Sequence, residues 1–238
     1  MRTGEFREGL KDGIPICLGY FSVSVAFGMS AVMGGLPLWA AVLISLTNLT
    51  SAGQLAGTQL VIAGGAYIEI AMTTLIINIR YFLMSLSMSQ RVEQKMSMRE
   101  RLAVSFGITD EIFAVAMQHP GELTASYMAG LILTPVAGWT GGTLLGGAAT
   151  AVMPAMLSGA LGIALYGMFI AVIVPSAKEH KNVLFAVMFA VFCSMAFAYL
   201  PFIKKISSGW AIIIITIGVS ALAAWLFPVK PQDEEDTA

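Results

Sequence analysis

Charged side chains are missing from four long stretches of this chain: residues 13–68, 123–177, 182–203 and 206–229 contain no Asp, Glu, Lys or Arg. A helix rises about 1.5 Å per residue, so about 20 apolar residues cross the roughly 30 Å hydrocarbon core of a bilayer. The two longest stretches must therefore fold back and cross more than once. Polar, glycine and proline breaks at Gly34–Pro37, Ala63–Gly65, Gln90–Arg101, His119–Glu122, Gly147–Ala151, Ser176–Lys181 and Pro201–Ser208 mark the returns. They leave eight hydrophobic segments, near residues 14–34, 38–62, 66–89, 102–118, 123–146, 152–175, 182–200 and 207–227. Segments this long and continuous do not suit barrel strands, and backbone in lipid must satisfy its own hydrogen bonds, so helices are predicted. The expected fold is an all-α polytopic integral membrane protein with about seven to eight transmembrane segments.

One segment is expected to be broken or re-entrant. The second carries Thr47-Asn48-Leu49-Thr50-Ser51-Ala52-Gly53-Gln54 at its centre, where polar and small residues interrupt the apolar run. A faint echo also runs along the chain. Val25-Ala26-Phe27-Gly28 resembles Val104-Ser105-Phe106-Gly107, and Leu49-Thr50-Ser51-Ala52 resembles Leu123-Thr124-Ala125-Ser126. If segments 1–3 and 4–6 are repeats, their odd number makes the repeat inverted, a plan common among transporters.

Composition fits this picture. The chain is 57% hydrophobic and 11% charged, against about 25% charged residues in soluble domains. A net charge of −1 gives no footprint for nucleic acid. The first apolar run is too long for a signal-peptide core of about 7–15 residues, and it reads as a first span. Residues 1–230 are expected to form a single transmembrane domain, and 231–238, with Asp233, Glu234, Glu235 and Asp236, an acidic disordered tail. If all eight segments cross once, Lys and Arg divide equally between the two sides and the positive-inside rule gives no orientation. Cys17 and Cys193 lie in apolar sequence without metal-ligand spacing, so thiols of the core are expected, with no disulfide and no metal. No HExxH, phosphate-binding loop or nucleophile elbow is present, so neither enzymatic activity nor a cofactor is expected.

Three charged residues fall deep in apolar sequence: Arg80, Asp110 and Glu111. A charge at mid-bilayer costs roughly 2.5–3.5 kcal/mol on insertion scales, so such residues pair, face a cavity or carry function. The Arg80 guanidinium can take a carboxylate bidentately; it can equally pair with Asp110 or Glu111 and fix helix register. Adjacent helical residues point about 100° apart. One acid can therefore pair with Arg80 while the other takes up and releases a proton. Hydroxyls, amides and glycines at Asn48, Thr50, Ser51, Gly53 and Gln54, together with Asn78 beside Arg80, suit an unwound helix that contacts a zwitterion. Gly53-x-x-x-Gly57 is also a face for close helix packing, and Gly138-x-x-x-Gly142-x-x-x-Gly146 is a longer one, expected to meet a helix of the same chain.

In order and spacing, several of these marks resemble the AzlC family, the large subunit of bacterial branched-chain amino acid exporters. They are Phe6-Arg7-Glu8-Gly9 leading into Ile14-Pro15-Ile16, Gly19-Tyr20, Ala26-Phe27-Gly28, the stretch around Gln54, Asn78-Ile79-Arg80 and Thr109-Asp110-Glu111. The likeness covers roughly residues 5–225. Tyr81 stands where the family usually has histidine, and Leu49–Gly53 departs from its Phe-Ala-Gly-like approach to the glutamine. The resemblance implies secondary export of hydrophobic amino acids across the bacterial cytoplasmic (inner) membrane, beside a small membrane subunit of the AzlD type. On it, Asn48, Thr50, Ser51, Gly53, Gln54, Asn78 and Arg80 bind or gate the substrate, and Asp110 and Glu111 couple protons or form an ion pair. The competing expectation is a non-transporting scaffold subunit whose ion pair is structural.

Overall fold

The computed structural model describes residues 3–150, 167, 170, 173–200 and 206–228. The helices are α1 (Thr3–Met33), α2 (Leu38–Thr47), α3 (Ala52–Ile62), α4 (Tyr67–Asn78), α5 (Arg80–Ser89), α6 (Met98–Phe106), α7 (Asp110–Gln118), α8 (Ala125–Ala149), α9 (Lys181–Tyr199) and α10 (Ser208–Leu226). Among the described residues no strand forms, only an isolated parallel bridge between Val92 and Leu123. The chain divides into two compact units, Met1–Met168 and Phe169–Ala238. Among the described residues, four helices (α1, α8, α9 and α10) are long and apolar enough to cross a bilayer, and α4 with α5, bent by 46°, makes a fifth if the pair is one span.

Seven of the eight predicted segments coincide with helices, but three of the seven are not continuous. The second is interrupted at residues 48–51, as expected. The third is broken at Ile79 and the fourth at Gly107–Thr109, which the pattern of apolar residues does not reveal. The sixth predicted segment, 152–175, lies almost wholly outside the described residues, as does the acidic tail. The inverted repeat of segments 1–3 and 4–6 includes this sixth segment and to that extent also lies outside the described residues. Its first echo does fall on unlike structure: Val25–Gly28 continues α1, whereas Val104–Gly107 ends α6.

Glycine sets the core of the first unit. Helices α1 and α8 run parallel in intimate contact, and at each level a glycine of one lies on the backbone of the other. A Cβ at Gly9 would collide with the Tyr127 carbonyl, one at Gly138 with Cys17, one at Gly142 with Phe21 and Ser24, and one at Gly146 with Val25. The expected ladder thus closes on a helix of its own chain. In lipid, helix association rests on such close packing because apolar burial supplies little drive. Cys17 and Cys193 are both free thiols.

The starts of the two long helices are tied by polar groups. Thr124 caps α8 and donates to Glu5 (2.7 Å), Tyr127 donates to Asp12 (2.9 Å), and Glu8 lies 3.7 Å from His119. The same end gathers the loops around α6 and α7. Leu123 and Glu93 donate to the carbonyls of Arg91 and Leu123, and the Arg91 guanidinium holds the carbonyls of Met117, His119 and Gly121 at the end of α7. A cation there complements the helix dipole. The start of α6 carries a capping box, Ser97 with Glu100. Hydrogen bonds from the Ser97 hydroxyl and backbone N–H hold the Glu100 carboxyl below the usual carboxylate range. Because its entry and exit meet at Glu93 and Leu123, α6–α7 is a hairpin. Helices α2–α3 form another at the opposite end, where a Cβ at Gly34, just past α1, would meet Ile62 at the end of α3.

In the second unit α9 and α10 pack on each other, with Phe185 edge-on to Phe227 at 5.6 Å between ring centroids. No residue of α9 is buried, as suits a helix whose apolar surface faces lipid.

Candidate functional site

The three helix breaks of the first unit meet. Arg80 opens α5 and Asp110 opens α7, and their side chains form an ion pair of 2.9 Å. Each electrostatic choice here has a local cause. Acids favour a helix N-terminus, which carries partial positive charge, so Asp110 and Glu111 suit the first turn of α7. Arg80 at the N-terminus of α5 is opposed by the same effect, and Asp110 offsets it. The Arg80 guanidinium also reaches the Tyr81 hydroxyl at 3.4 Å and lies 5.1 Å from that ring's centroid. Tyr81 is thus a direct neighbour of the guanidinium. The pair is not sealed in a core: the side chains of Arg80 and Asp110 are 44% and 39% exposed.

The break between α2 and α3 joins from the other side. Thr50 donates to Asn48 Oδ1 at 2.6 Å through its hydroxyl and at 3.0 Å through its backbone N–H. Asn78 Nδ2 in turn donates to Thr50 Oγ1 at 3.3 Å. Gly53 lies against the Asn78 amide so closely that a Cβ would overlap it, and Asn78 Oδ1 is buried without a partner. Ser51, the residue before α3, has φ +29°, a conformation that costs a non-glycine residue on the order of 1–3 kcal/mol. Asn48, Thr50, Gly53, Asn78, Arg80 and Asp110 are therefore brought together, with strained backbone among them.

Glu111 takes a different partner. Its carboxylate lies 2.5 Å from the Tyr20 hydroxyl of α1, which is also 2.7 Å from Thr109 Oγ1. Thr109 caps α7 by accepting from the Ile112 N–H. The two adjacent acids thus point apart, as helix geometry requires, Asp110 to Arg80 and Glu111 to Tyr20.

Gln54, expected at the polar end of a substrate, is 1% exposed and has both ends of its amide engaged. Nε2 donates to Ser45 at 2.7 Å, and Oε1 accepts from the Trp139 indole N–H at 2.8 Å. Ser45 lies 2.7 Å from Thr143 Oγ1, which donates to the Trp139 carbonyl. This network takes one amide hydrogen and one lone pair of Gln54. It also fixes where the break lies, since Gln54 opens α3 and its partners lie on α2 and α8. Trp139 also carries the Tyr20 ring edge-on, at 5.3 Å between centroids.

Two residues were not anticipated. Tyr20 stands in the sequence within the Gly19-Tyr20 mark, with no chemistry attached to it. Glu69, in the first turn of α4, is 5% exposed, where its position near a segment end suggested water. An apolar groove of about 480 Å³ between α6 and α8, lined by Ala103, Val104, Ala129 and Ile132 among others, lies apart from all these polar groups. No cluster of metal-ligating side chains occurs among the described residues.

Residues 15–153 match the family described as AzlC protein, more than half of the chain and every residue of this polar cluster. The chain belongs to the AzlC family. Like this member, its relatives are membrane proteins. The inner membrane protein YgaZ of Escherichia coli strain K12 is 27% identical over 188 residues, 76% of either chain. An uncharacterized membrane protein of Archaeoglobus fulgidus is 28% identical over 179 residues, covering 74% of this chain and 78% of its own. Another from Helicobacter pylori is 26% identical over 203 residues, covering 81% and 88%. No solved structure matches the chain.

Proposed function

We propose that this AzlC-family protein is the transporting subunit of a secondary exporter of branched-chain or related hydrophobic amino acids, acting across the cytoplasmic membrane with a small AzlD-type membrane subunit. The observation that carries the reading is the Arg80–Asp110 pair, half-open, where three interrupted helices converge. Broken helices free backbone donors and acceptors, and irregular backbone at membrane depth is tolerated where it is buried in protein or lines a cavity.

The chemistry required of the site is recognition of a zwitterion with an apolar side chain. Arg80 would take the carboxylate, with the fork geometry that makes arginine suited to it. Asp110 would then trade its partner for the substrate's ammonium group, so that neither charge is stranded. Asn48, Thr50 and Asn78 supply polar contacts beside the pair. Export needs an energy source, and a proton gradient or membrane potential provides it.

The scaffold reading keeps one observation on its side, since an Arg80–Asp110 pair could hold α5 against α7. Its side chains are too exposed for a pair whose main work is to fill an interior. The test is efflux of labelled leucine, isoleucine and valine from cells expressing the chain with and without its small subunit. Arg80→Ala and Asp110→Asn are expected to abolish efflux at normal membrane levels. The exchange of Arg80→Asp with Asp110→Arg should likewise reach the membrane at normal levels without transport. Near-normal efflux from both single variants, or full recovery in the exchanged pair, would leave the scaffold reading standing.

A further inference from the structure

The two adjacent acids at the start of α7 can do different work, and this inference rests on the transporter reading above. We propose that Glu111 is the proton-carrying carboxylate, that Tyr20 is its positioning residue, and that Asp110 is confined to the ion pair with Arg80. What distinguishes the acids is what each loses on becoming neutral. Asp110 faces Arg80 at 2.9 Å. Its protonation would leave a guanidinium unpaired within the membrane, which is expensive. Glu111 faces one hydroxyl, that of Tyr20 at 2.5 Å, which in turn lies 2.7 Å from Thr109 Oγ1.

Hydroxyls both donate and accept. When Glu111 is ionised, Tyr20 donates to it. When Glu111 carries a proton, its O–H can donate to Tyr20, whose own hydroxyl then turns to Thr109 Oγ1. Both protonation states are satisfied without moving a second charge, as a carrier of protons requires. The charged and titratable groups around Glu111 bear this out. Helix α1 offers Tyr20, α5 offers Arg80 and Tyr81, and α7 itself offers Asp110. Helix α8 offers no charged residue, and its one titratable side chain, Tyr127, bonds Asp12 near the far end.

Tyr20 is well placed to hold this geometry. It is 8% exposed on a helix locked to α8 by the glycine ladder, with its ring seated edge-on against Trp139. In the cycle, a proton binds a Glu111 oxygen from outside and leaves it inside, while the amino acid moves outward. No other bond is made or broken.

The experiment compares two fluxes in membrane vesicles carrying the full complex: exchange of labelled for unlabelled leucine at equal pH, and leucine flux driven by an imposed pH gradient. Glu111→Gln cannot cycle a proton, so it should keep measurable exchange and lose its response to the gradient. Glu111→Asp should recover part of that response. Tyr20→Phe keeps the ring on Trp139 and removes only the hydroxyl. Losing a hydrogen bond to a charged group is worth a factor of roughly ten or more, and that loss should fall on gradient-driven flux while exchange persists. Asp110→Asn should lose both fluxes.

A wild-type response to the gradient in Glu111→Gln overturns the assignment. So does a parallel fall of both fluxes in Glu111→Gln and Tyr20→Phe at normal membrane levels, which would mean a structural role. Should Glu111→Gln fail to reach the membrane, the split in Tyr20→Phe decides. A wild-type protein that exchanges leucine but ignores the pH gradient removes the proton assignment and leaves the exporter reading intact. Flux of no amino acid at all removes both.

Discussion

At the scale of residues, the ion pair and the glutamine show how much a side chain's meaning depends on the face it occupies. A pairing of Arg80 with Asp110 or Glu111 was legible in sequence because a lone charge in lipid is too costly to leave unpartnered; the choice of Asp110 comes from the structure. Gln54 could not be placed, because in an apolar run every face of the helix reads alike and hydrophobicity carries no rotation signal. Its rotation is set by Trp139 and Ser45, distant and near in sequence. Gln54→Leu should leave the buried Trp139 N–H unpaired and cost about 1–3 kcal/mol. Thermal unfolding of the detergent-solubilised protein would register it, with transport falling only as far as the folded fraction falls. Thr50→Val, which removes the hydroxyl joining Asn48 to Asn78, should instead lower transport at little cost in stability. A Gln54→Leu protein that is as stable as wild type but cannot transport would put Gln54 back among the substrate contacts.

Among elements, segment boundaries were legible and interruptions mostly were not. The break at 48–51 announces itself through Asn48, Thr50 and Ser51. The break at Ile79 has neither glycine nor proline, and it exists because Arg80 and Asn78 are claimed by partners on α7 and beside α3. Gly107 lies at the α6–α7 break, but a lone glycine in a predicted membrane helix is unremarkable. The glycine ladder of α8 was legible as a packing face, and the structure adds its register on α1. Gly142→Ala should therefore destabilise the first unit by about 1–3 kcal/mol or more, since overpacking against Phe21 backbone cannot be relieved by a side-chain shift. The adjacent Gly141→Ala is the control, because a Cβ there meets nothing within 4 Å. Equal melting temperatures for the two variants would contradict the packing. The capping box of α6 makes a smaller claim about pH. Folding holds the Glu100 carboxyl below its usual range. The support it gives is thus present above the ordinary carboxylate pKa and fades as pH falls through the lowered value. Lower amide protection at Ser97–Arg101 in acid, relative to the intrinsic exchange rate at each pH and absent in Glu100→Gln, is the expected signature.

The whole molecule turns on the difference between crossing and returning. Helices α2, α3, α6 and α7 have 10, 11, 9 and 9 residues, each about 13–17 Å long, or half of a hydrocarbon core. A helix of that length reaches mid-bilayer and stops. Since α2–α3 begins and ends near Gly34, and α6–α7 begins and ends near Leu123, both are expected to enter from opposite surfaces and return to them. Among the described residues of the first unit, α1, the bent α4–α5 pair and α8 are then expected to cross, which agrees with the parallel run of α1 and α8. This changes the charge count that gave no orientation when every segment was taken to cross. Arg7, Lys11, Arg91, Lys95, Arg99 and Arg101 gather at one end, while residues 34–37 and 63–66 at the other carry no Lys or Arg. The positive-inside rule then places the basic end in the cytoplasm. Single cysteines in a Cys17→Ala, Cys193→Ala background would test it. A probe that cannot cross membranes should label Cys at Gly64 from outside the cell, and Cys at Gln94 only after the membrane is opened. Labelling of both from outside, or of Gln94 alone, would show that the hairpins span the bilayer or that the orientation is reversed. Either result would mean that the polar cluster is approached from surfaces other than those assigned here.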